Sequence, residues 1–338
     1  MVTLLFIYLF FLLAFSLLSP LKNEKIYFGI FCFFLFLFAA YRPPFEDRDY
    51  SSYYYAFRDG SSSLESSFII ISKIIKLFFG NNPLILFLVY AMLGVGLKAY
   101  SIQKTSNLLM LSLYLYFCYL FSLQELTGIR TGVATGFIFL AIHPYCSGKI
   151  SKAFICYLCA CFFHISAAVL IILFFLKRDK LNKYFWGALI PMAYILHIGA
   201  GNLLNLDILQ PLVMSDRLES KMSSYTQESI LNVYNAWQLL RVFFAFYFLT
   251  VIDSLQNKNQ HAIIAFKLYV ISVCIVPILG NMPTFAGRLS DIFMVSDIIM
   301  IPMLVYLYTP RFVPKMIVLV YGGLYFYMNV FYNKIFFE

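Results

Sequence analysis

At 338 residues the chain could hold two or three soluble domains, yet 62% of it is hydrophobic, only 12% is charged, and the mean hydropathy is +0.82. Apolar runs of about twenty residues recur from end to end, which excludes a water-soluble globule; because they are continuous Leu/Ile/Phe stretches and not short alternations, they also exclude a transmembrane barrel. The net charge of +9 comes largely from lysines in short turns beside apolar segments, where they set topology, so the implied partner is a lipid bilayer and not nucleic acid.

The N-terminal run has no basic region before its apolar core and no A-x-A site after it, and reads as a retained first span. Segments 3–19 and 26–41 form spans one and two, joined by a turn whose Lys22 and Lys25 go inside. The chain then emerges as a large outer loop, 42–82. Its first part, Tyr41 to Gly60, packs three arginines, four acids and five tyrosines between two oily runs. Its last part, Ser67 to Phe79, is interrupted by Lys73 and Lys76; too short and too charged to span, it reads as an interfacial amphipathic helix.

Residues 83–101 return inward to Lys98 and Lys104, 107–123 go out, and 128–145 come back to Lys149 and Lys152. Residues 150–176 would make a helix of about 40 Å, against a hydrocarbon core of about 30 Å, and carry lysines at both ends. Two half-helices in a re-entrant hairpin, with Phe163, His164 and Ser166 near the turn, keep both basic ends inside. Segment 184–200 then goes out to a second outer loop, 201–235. Segments 236–253, 262–280, 289–308 and 316–332 complete the traverse, with Arg311 and Lys315 inside. The expected fold is an all-α polytopic membrane protein, a single integral membrane domain over 1–338, with about ten transmembrane helices plus the hairpin. The outer loops 42–82 and 201–235 form the active-site face. The seven cysteines lie almost all in apolar segments and read as packing residues.

Charge type separates the two faces. Inner turns use lysine, with Arg178 and Arg311 the exceptions, whereas the outer face holds Arg42, Arg48, Arg58, Arg130, Arg217 and Arg288 beside Lys73, Lys76, Lys221 and Lys334. Lysine would serve topology as well, while arginine offers a planar fork for phosphate or carboxylate. The outer arginines therefore point to an anionic ligand at the membrane surface, lipid phosphate or pyrophosphate. The alternative is local neutralisation: Arg42, Arg48 and Arg58 by the acids of their own loop, Arg217 by Asp216, Arg288 by Asp291. Arg130 opens an apolar helix just after the turn QELTG, and its nearest acid in sequence, Glu125, lies before that turn. Arg241 and Lys267 lie inside apolar segments and are expected to neutralise Asp297. Among the histidines only His164 is placed in a partly dry, outward-facing position, either as a hydrogen-bonded structural residue or as a base.

The loop RPPFEDRDYSSYYYAF, then QELTGIRTGVATGFIFLAI, FICYLCACFFHISAAVLIILFFL and a span opening GRLSDIF resemble, in that order, the bacterial polysaccharide repeat-unit polymerases of the Wzy/EpsG type. Thr131 stands where a glutamine is common after the arginine. The resemblance implies an enzyme of the bacterial cytoplasmic (inner) membrane, a glycosyltransferase. It would move a glycan from undecaprenyl pyrophosphate to another lipid-linked repeat unit, giving O-antigen, capsule or exopolysaccharide, beside a flippase and a chain-length regulator. Alternatives are the O-antigen ligase, which uses the same donor, and a lipid-linked glycan flippase or transporter.

That reaction needs a base for the acceptor hydroxyl and cations for the departing pyrophosphate. Arg130, Arg217 and Arg288 are the expected clamps, with Arg42 as a further substrate contact, and His164, Asp47 or Asp49 the base. Tyr50, Tyr53, Tyr54 and Tyr55 would offer sugar-stacking faces or serve as interface anchors. Asp47-Arg48-Asp49 is formally a D-x-D that can hold a divalent metal, but Arg48 can neutralise it in place, and no cofactor is expected.

Overall fold

The computed structural model describes residues 2–47, 49–60, 64–200 and 231–332. Arg48 and most of the second outer loop, including Asp216, Arg217 and Lys221, lie outside the described residues. Among the described residues the fold is all-helical, with 82% of them in helix and none in a strand. In chain order the helices are α1 (Val2–Leu18), α2 (Glu24–Ala40), α3 (Tyr50–Asp59), α4 (Ser66–Phe79), α5 (Pro83–Thr105), α6 (Leu109–Thr127), α7 (Ile129–Cys146) and α8 (Ile150–Phe163). A 3-10 arm (Ile165–Phe175), α9 (Lys183–Ala200), α10 (Ala236–Gln256), α11 (Ala262–Ile278), α12 (Pro283–Tyr306) and α13 (Phe312–Tyr332) follow. Five of these, α5, α6, α10, α12 and α13, are long and apolar enough to cross a membrane. The other segments expected to span are helical too, but shorter or less apolar.

Two compact units divide the chain. The first comprises Met1–Phe174 and Asp297–Glu338, the second Phe175–Ser296. In the first unit the turn after α1 meets the start of α13 through Lys315, which donates to the carbonyls of Leu17 and Ser19. Glu24 accepts from the backbone of Met110 at the start of α6, so these ends share one side of the unit. Tyr114 donates to the Leu319 carbonyl at 2.7 Å and Asn329 to that of Tyr119 at 3.0 Å, which ties α6 to α13. Gly322 is needed there: a Cβ on it would sit 2.4 Å from the Tyr114 ring.

The segment 150–175 folds back on itself. His164 leaves the helical region (φ −155°, ψ 121°), and past it the rings of Phe154 and Phe174 come within 5.6 Å. Twenty residues of straight helix would separate them by about 30 Å. Tyr157 donates to the Ala168 carbonyl across the hairpin at 3.3 Å. The return arm is a 3-10 helix of 11 residues, well beyond the usual length for that tight winding.

α4 is apolar on both faces. Phe68, Ser72 and Ile75 point into the unit, while Ile70, Ile74, Leu77, Phe78 and Phe79 are exposed. That pattern fits a helix lying along a lipid interface. Lys76 reaches back over the Phe57 ring and to the Arg58 carbonyl, joining α4 to α3.

In the second unit, Arg241 donates to Ser272 at 2.6 Å and Ser290 at 3.3 Å, and Lys267 to the carbonyls of Lys177 and Lys180. In the first unit, Asp297 accepts from Tyr321 at 2.9 Å.

Candidate functional site

The site begins with how α6 ends. Its second half, from Phe117 to Thr127, is wound as a π-helix, and the last carbonyls of any helix lack partners inside it. Arg42 supplies them: its guanidinium donates to the carbonyls of Glu125, at 3.0 Å, and Leu126. It also lies 4.3 Å from the centre of the Phe87 ring and 3.2 Å from the Asp47 carboxylate. Both side chains are buried, at 1% and 0% exposure, so Arg42 and Asp47, expected as substrate contact and base, form an internal bolt between loop and helix end. Burial pushes the Asp47 carboxyl up to about 6 despite Arg42 beside it. Asp49 is half-buried and its backbone N–H donates to Asp47 at 3.2 Å, so the D-x-D folds onto itself with one carboxylate turned to Arg42.

Glu125 does not partner Arg130, its neighbour in sequence. Its carboxylate meets the Lys98 ammonium, with both side chains at 1% exposure or less. Lys98 also donates to the Gly132 carbonyl at 2.8 Å, and Tyr116 to Glu125 at 3.1 Å. Lys98 is therefore an interior residue of α5, not an inner-turn lysine. The pair requires space: a Cβ on Gly94 would fall 1.9 Å from Glu125 Oε2, and one on Gly132 2.9 Å from it. This explains the glycine two residues after Arg130, because α7 can start only where its backbone clears the Glu125 carboxylate and gives Lys98 a carbonyl.

With α7 so placed, Arg130 stands in its first turn, the wrong end of the helix dipole for a cation. The compensating acid is Glu65, which sequence reasoning missed. One Glu65 oxygen is ion-paired with Arg130 and the other lies 2.8 Å from His164 Nδ1. Glu65 occupies the N-cap position of α4 (φ −60°, ψ 152°), yet its side chain makes no capping hydrogen bond there. Its carboxylate is diverted to the neighbouring helices. The three side chains keep 15–19% exposure, in contrast to the sealed Lys98–Glu125 pair. The Tyr53 ring lies 5.5 Å from the Arg130 guanidinium, and its hydroxyl is raised by burial, with Arg130 opposing the shift.

The first unit thus brings together Arg130, His164 and Tyr53, contributed by α7, the hairpin turn and α3. Tyr50 and Tyr53 turn inward: Tyr50 stacks on Phe87 at 4.6 Å and Tyr53 leans on Phe68 at 6.0 Å, so their faces, expected to stack on sugars, are occupied. Tyr55 is the exposed tyrosine of α3, at 51%, and its half-buried neighbour Tyr54 packs edge-on against it. Arg288 is exposed on α12 in the second unit. Arg217 falls outside the described residues. Among the described residues no three His, Cys, Asp or Glu side chains gather as metal ligands. A groove of about 910 Å³ between α1 and α2, lined by residues such as Tyr8, Phe15, Phe31 and Phe34, runs to Arg42 and Pro43 at the start of the loop.

The model of the EpsG family matches residues 25–337 of the chain. No curated protein and no solved structure matches it.

Proposed function

Since the chain belongs to the EpsG family, polysaccharide polymerases of the Wzy/EpsG type, we propose that it is a membrane glycosyltransferase that joins undecaprenyl-pyrophosphate-linked repeat units on the outer face of the bacterial cytoplasmic membrane. The observation that carries this reading is the meeting of Arg130 and His164 on one carboxylate at a helix start. A helix N-terminus that also presents an arginine concentrates positive charge on a small volume. One edge of the Arg130 fork holds a carboxylate in the structure. Two non-bridging oxygens of a tetrahedral phosphate group suit another edge of the same fork, and a pyrophosphate carries more charge than a carboxylate.

In this reading Arg130 takes up the charge that builds on the leaving pyrophosphate, and His164 is the base for the acceptor hydroxyl. Asp47 is a poorer base because its carboxylate is sealed against Arg42. Tyr55, with Tyr54 beside it, offers the faces for sugar, and Arg288 and Arg217 remain further cations for the outer face. The groove between α1 and α2 takes the polyprenyl chain, since it is apolar along its length and ends at the residue that anchors the loop to α6.

The topology that goes with this function has about ten spans plus the hairpin entering and leaving on the cytoplasmic side. Its test is labelling at position 180. A cysteine in place of Lys180 should resist an impermeant thiol reagent added to intact cells and react after permeabilisation. Ready labelling from outside would put position 180 on the outer face and reject this topology.

Deletion of the gene tests the function. The expected phenotype is a surface glycan shortened to single repeats, restored to long chains by the wild-type chain. Full-length polymer retained on the lipid carrier would indicate a ligase, and loss of all outer-face glycan a flippase; either result rejects the proposal.

A further inference from the structure

We propose that Glu65 is the positioning carboxylate of this site: it fixes which nitrogen of His164 is basic and holds that imidazole and the Arg130 guanidinium at a set spacing. The inference rests on the function proposed above, but its structural half can be tested without it. Three observations carry it. Glu65 Oε1 lies 2.8 Å from His164 Nδ1, so in the neutral ring the proton sits on Nδ1 and the lone pair on Nε2. The other oxygen of the same carboxylate engages Arg130. And Glu65, at the N-cap position of α4, forgoes the cap that its place offers, which leaves the carboxylate available to two residues from other elements.

An imidazole held through Nδ1 by a carboxylate keeps its orientation and is stabilised when it becomes imidazolium. The step balances with this ring as base. The acceptor hydroxyl loses its proton to Nε2 as its oxygen bonds the anomeric carbon of the donor glycan. The bond from that carbon to the pyrophosphate oxygen breaks, and the electron pair leaves with the pyrophosphate, beside Arg130. Glu65 touches neither sugar in this scheme. It acts through His164 and Arg130.

The location of Glu65 adds a second consequence. α4 exposes Leu77 at 78% and Phe78 at 72%, so the helix that begins at Glu65 lies with its far end in the lipid interface. The carboxylate is thereby tied to the membrane surface, where a lipid-linked pyrophosphate sits.

The test uses the full chain, labelled with ¹⁵N-histidine and reconstituted in nanodiscs, with the His164 signals identified by their loss in His164→Gln. Expected for the wild type is a neutral ring protonated on Nδ1. Glu65→Gln keeps an acceptor and should retain that tautomer; Glu65→Ala should revert to the Nε2-protonated form usual in solution. A His164 spectrum unchanged in Glu65→Ala overturns the proposal, and should that variant not fold, loss of the Nδ1–H form in Glu65→Leu serves in its place. Chain growth is measured on the same samples with lipid-linked repeat units extracted from the deletion strain. Glu65→Gln should lower the rate about a hundredfold while leaving half-saturation within a few-fold, because the charge that stabilises the imidazolium is gone. Its rate should also reach its plateau at lower pH than the wild type. An unaltered rate and pH profile in Glu65→Gln would overturn the positioning role. A wild-type chain that extends no repeat unit, with the tautomer responding to Glu65→Ala, would reject the proposed function and leave the placement of Glu65 standing.

Discussion

Arg130→Lys is expected to reduce polymer formation about a hundredfold or more, with the protein still present in the membrane at the wild-type level. The expected size follows from what the substitution removes. Lysine keeps the charge but loses the fork, so it cannot take two oxygens of one phosphate group, and losing one donor to a developing oxyanion typically costs about two to three orders of magnitude in rate. The site makes this sharper because Arg130 already has a resident anion. A guanidinium can hold Glu65 through one edge and present another edge to a ligand, whereas an ammonium on a flexible stem has no such division. Polymer of normal length and amount from Arg130→Lys would remove Arg130 from the reaction. Glycan ladders on gels, quantified against membrane content of the protein, make the comparison.

The second large effect is on folding. Glu125→Ala leaves the Lys98 ammonium in a site where both side chains are at most 1% exposed, and an uncompensated buried charge costs about 3–5 kcal/mol. Loss of most folded protein is expected, seen as a lower unfolding temperature and aggregation on size-exclusion chromatography in detergent. Gly94→Ala should behave likewise, because its Cβ would overlap the Glu125 carboxylate at 1.9 Å. The informative variant is the double replacement Lys98→Met with Glu125→Leu. Removing both charges and keeping the volume should recover much of the stability, since a buried pair is often no better than a packed apolar one. Full stability in Glu125→Ala alone would show that Lys98 has another counter-charge. The ion pair matters to function through position, because it sets where α7 begins and hence where Arg130 points.

Much of this fold was readable from the chain, and for definite reasons. The helical class follows from continuous apolar runs, and the fold-back of 150–175 from a run too long for one span with lysines at each end. Arg130 and His164 stand out because each is a polar group at the edge of apolar sequence. Their shared partner did not stand out. Glu65 lies 99 residues from His164, and sequence distance instead offered Glu125, which tertiary packing gives to Lys98. Lys98 lies deeper than its sequence position implies because helix ends are poorly marked: α5 continues to Thr105, past the expected end at 101, and draws Lys98 well inside. The tyrosines of α3 carried a usable signal. Tyr50, Tyr53 and Phe57 repeat at the spacing of one helix face, and that face is the buried one. Burial of Arg42 against two carbonyls, by contrast, depends on the π-wound end of α6, for which apolar composition gives no cue.

The most direct measurement is chain growth by the purified protein. The wild-type chain in nanodiscs, given lipid-linked repeat units from its own deletion strain and no other protein, should produce a ladder of lipid-linked oligomers. Arg130→Lys and His164→Gln, folded to the same extent, should leave single units. Single units from the wild type under conditions where the deletion strain is fully complemented, or an equal ladder from His164→Gln and Arg130→Lys, would contradict the assignment of this site as the centre of polymerisation.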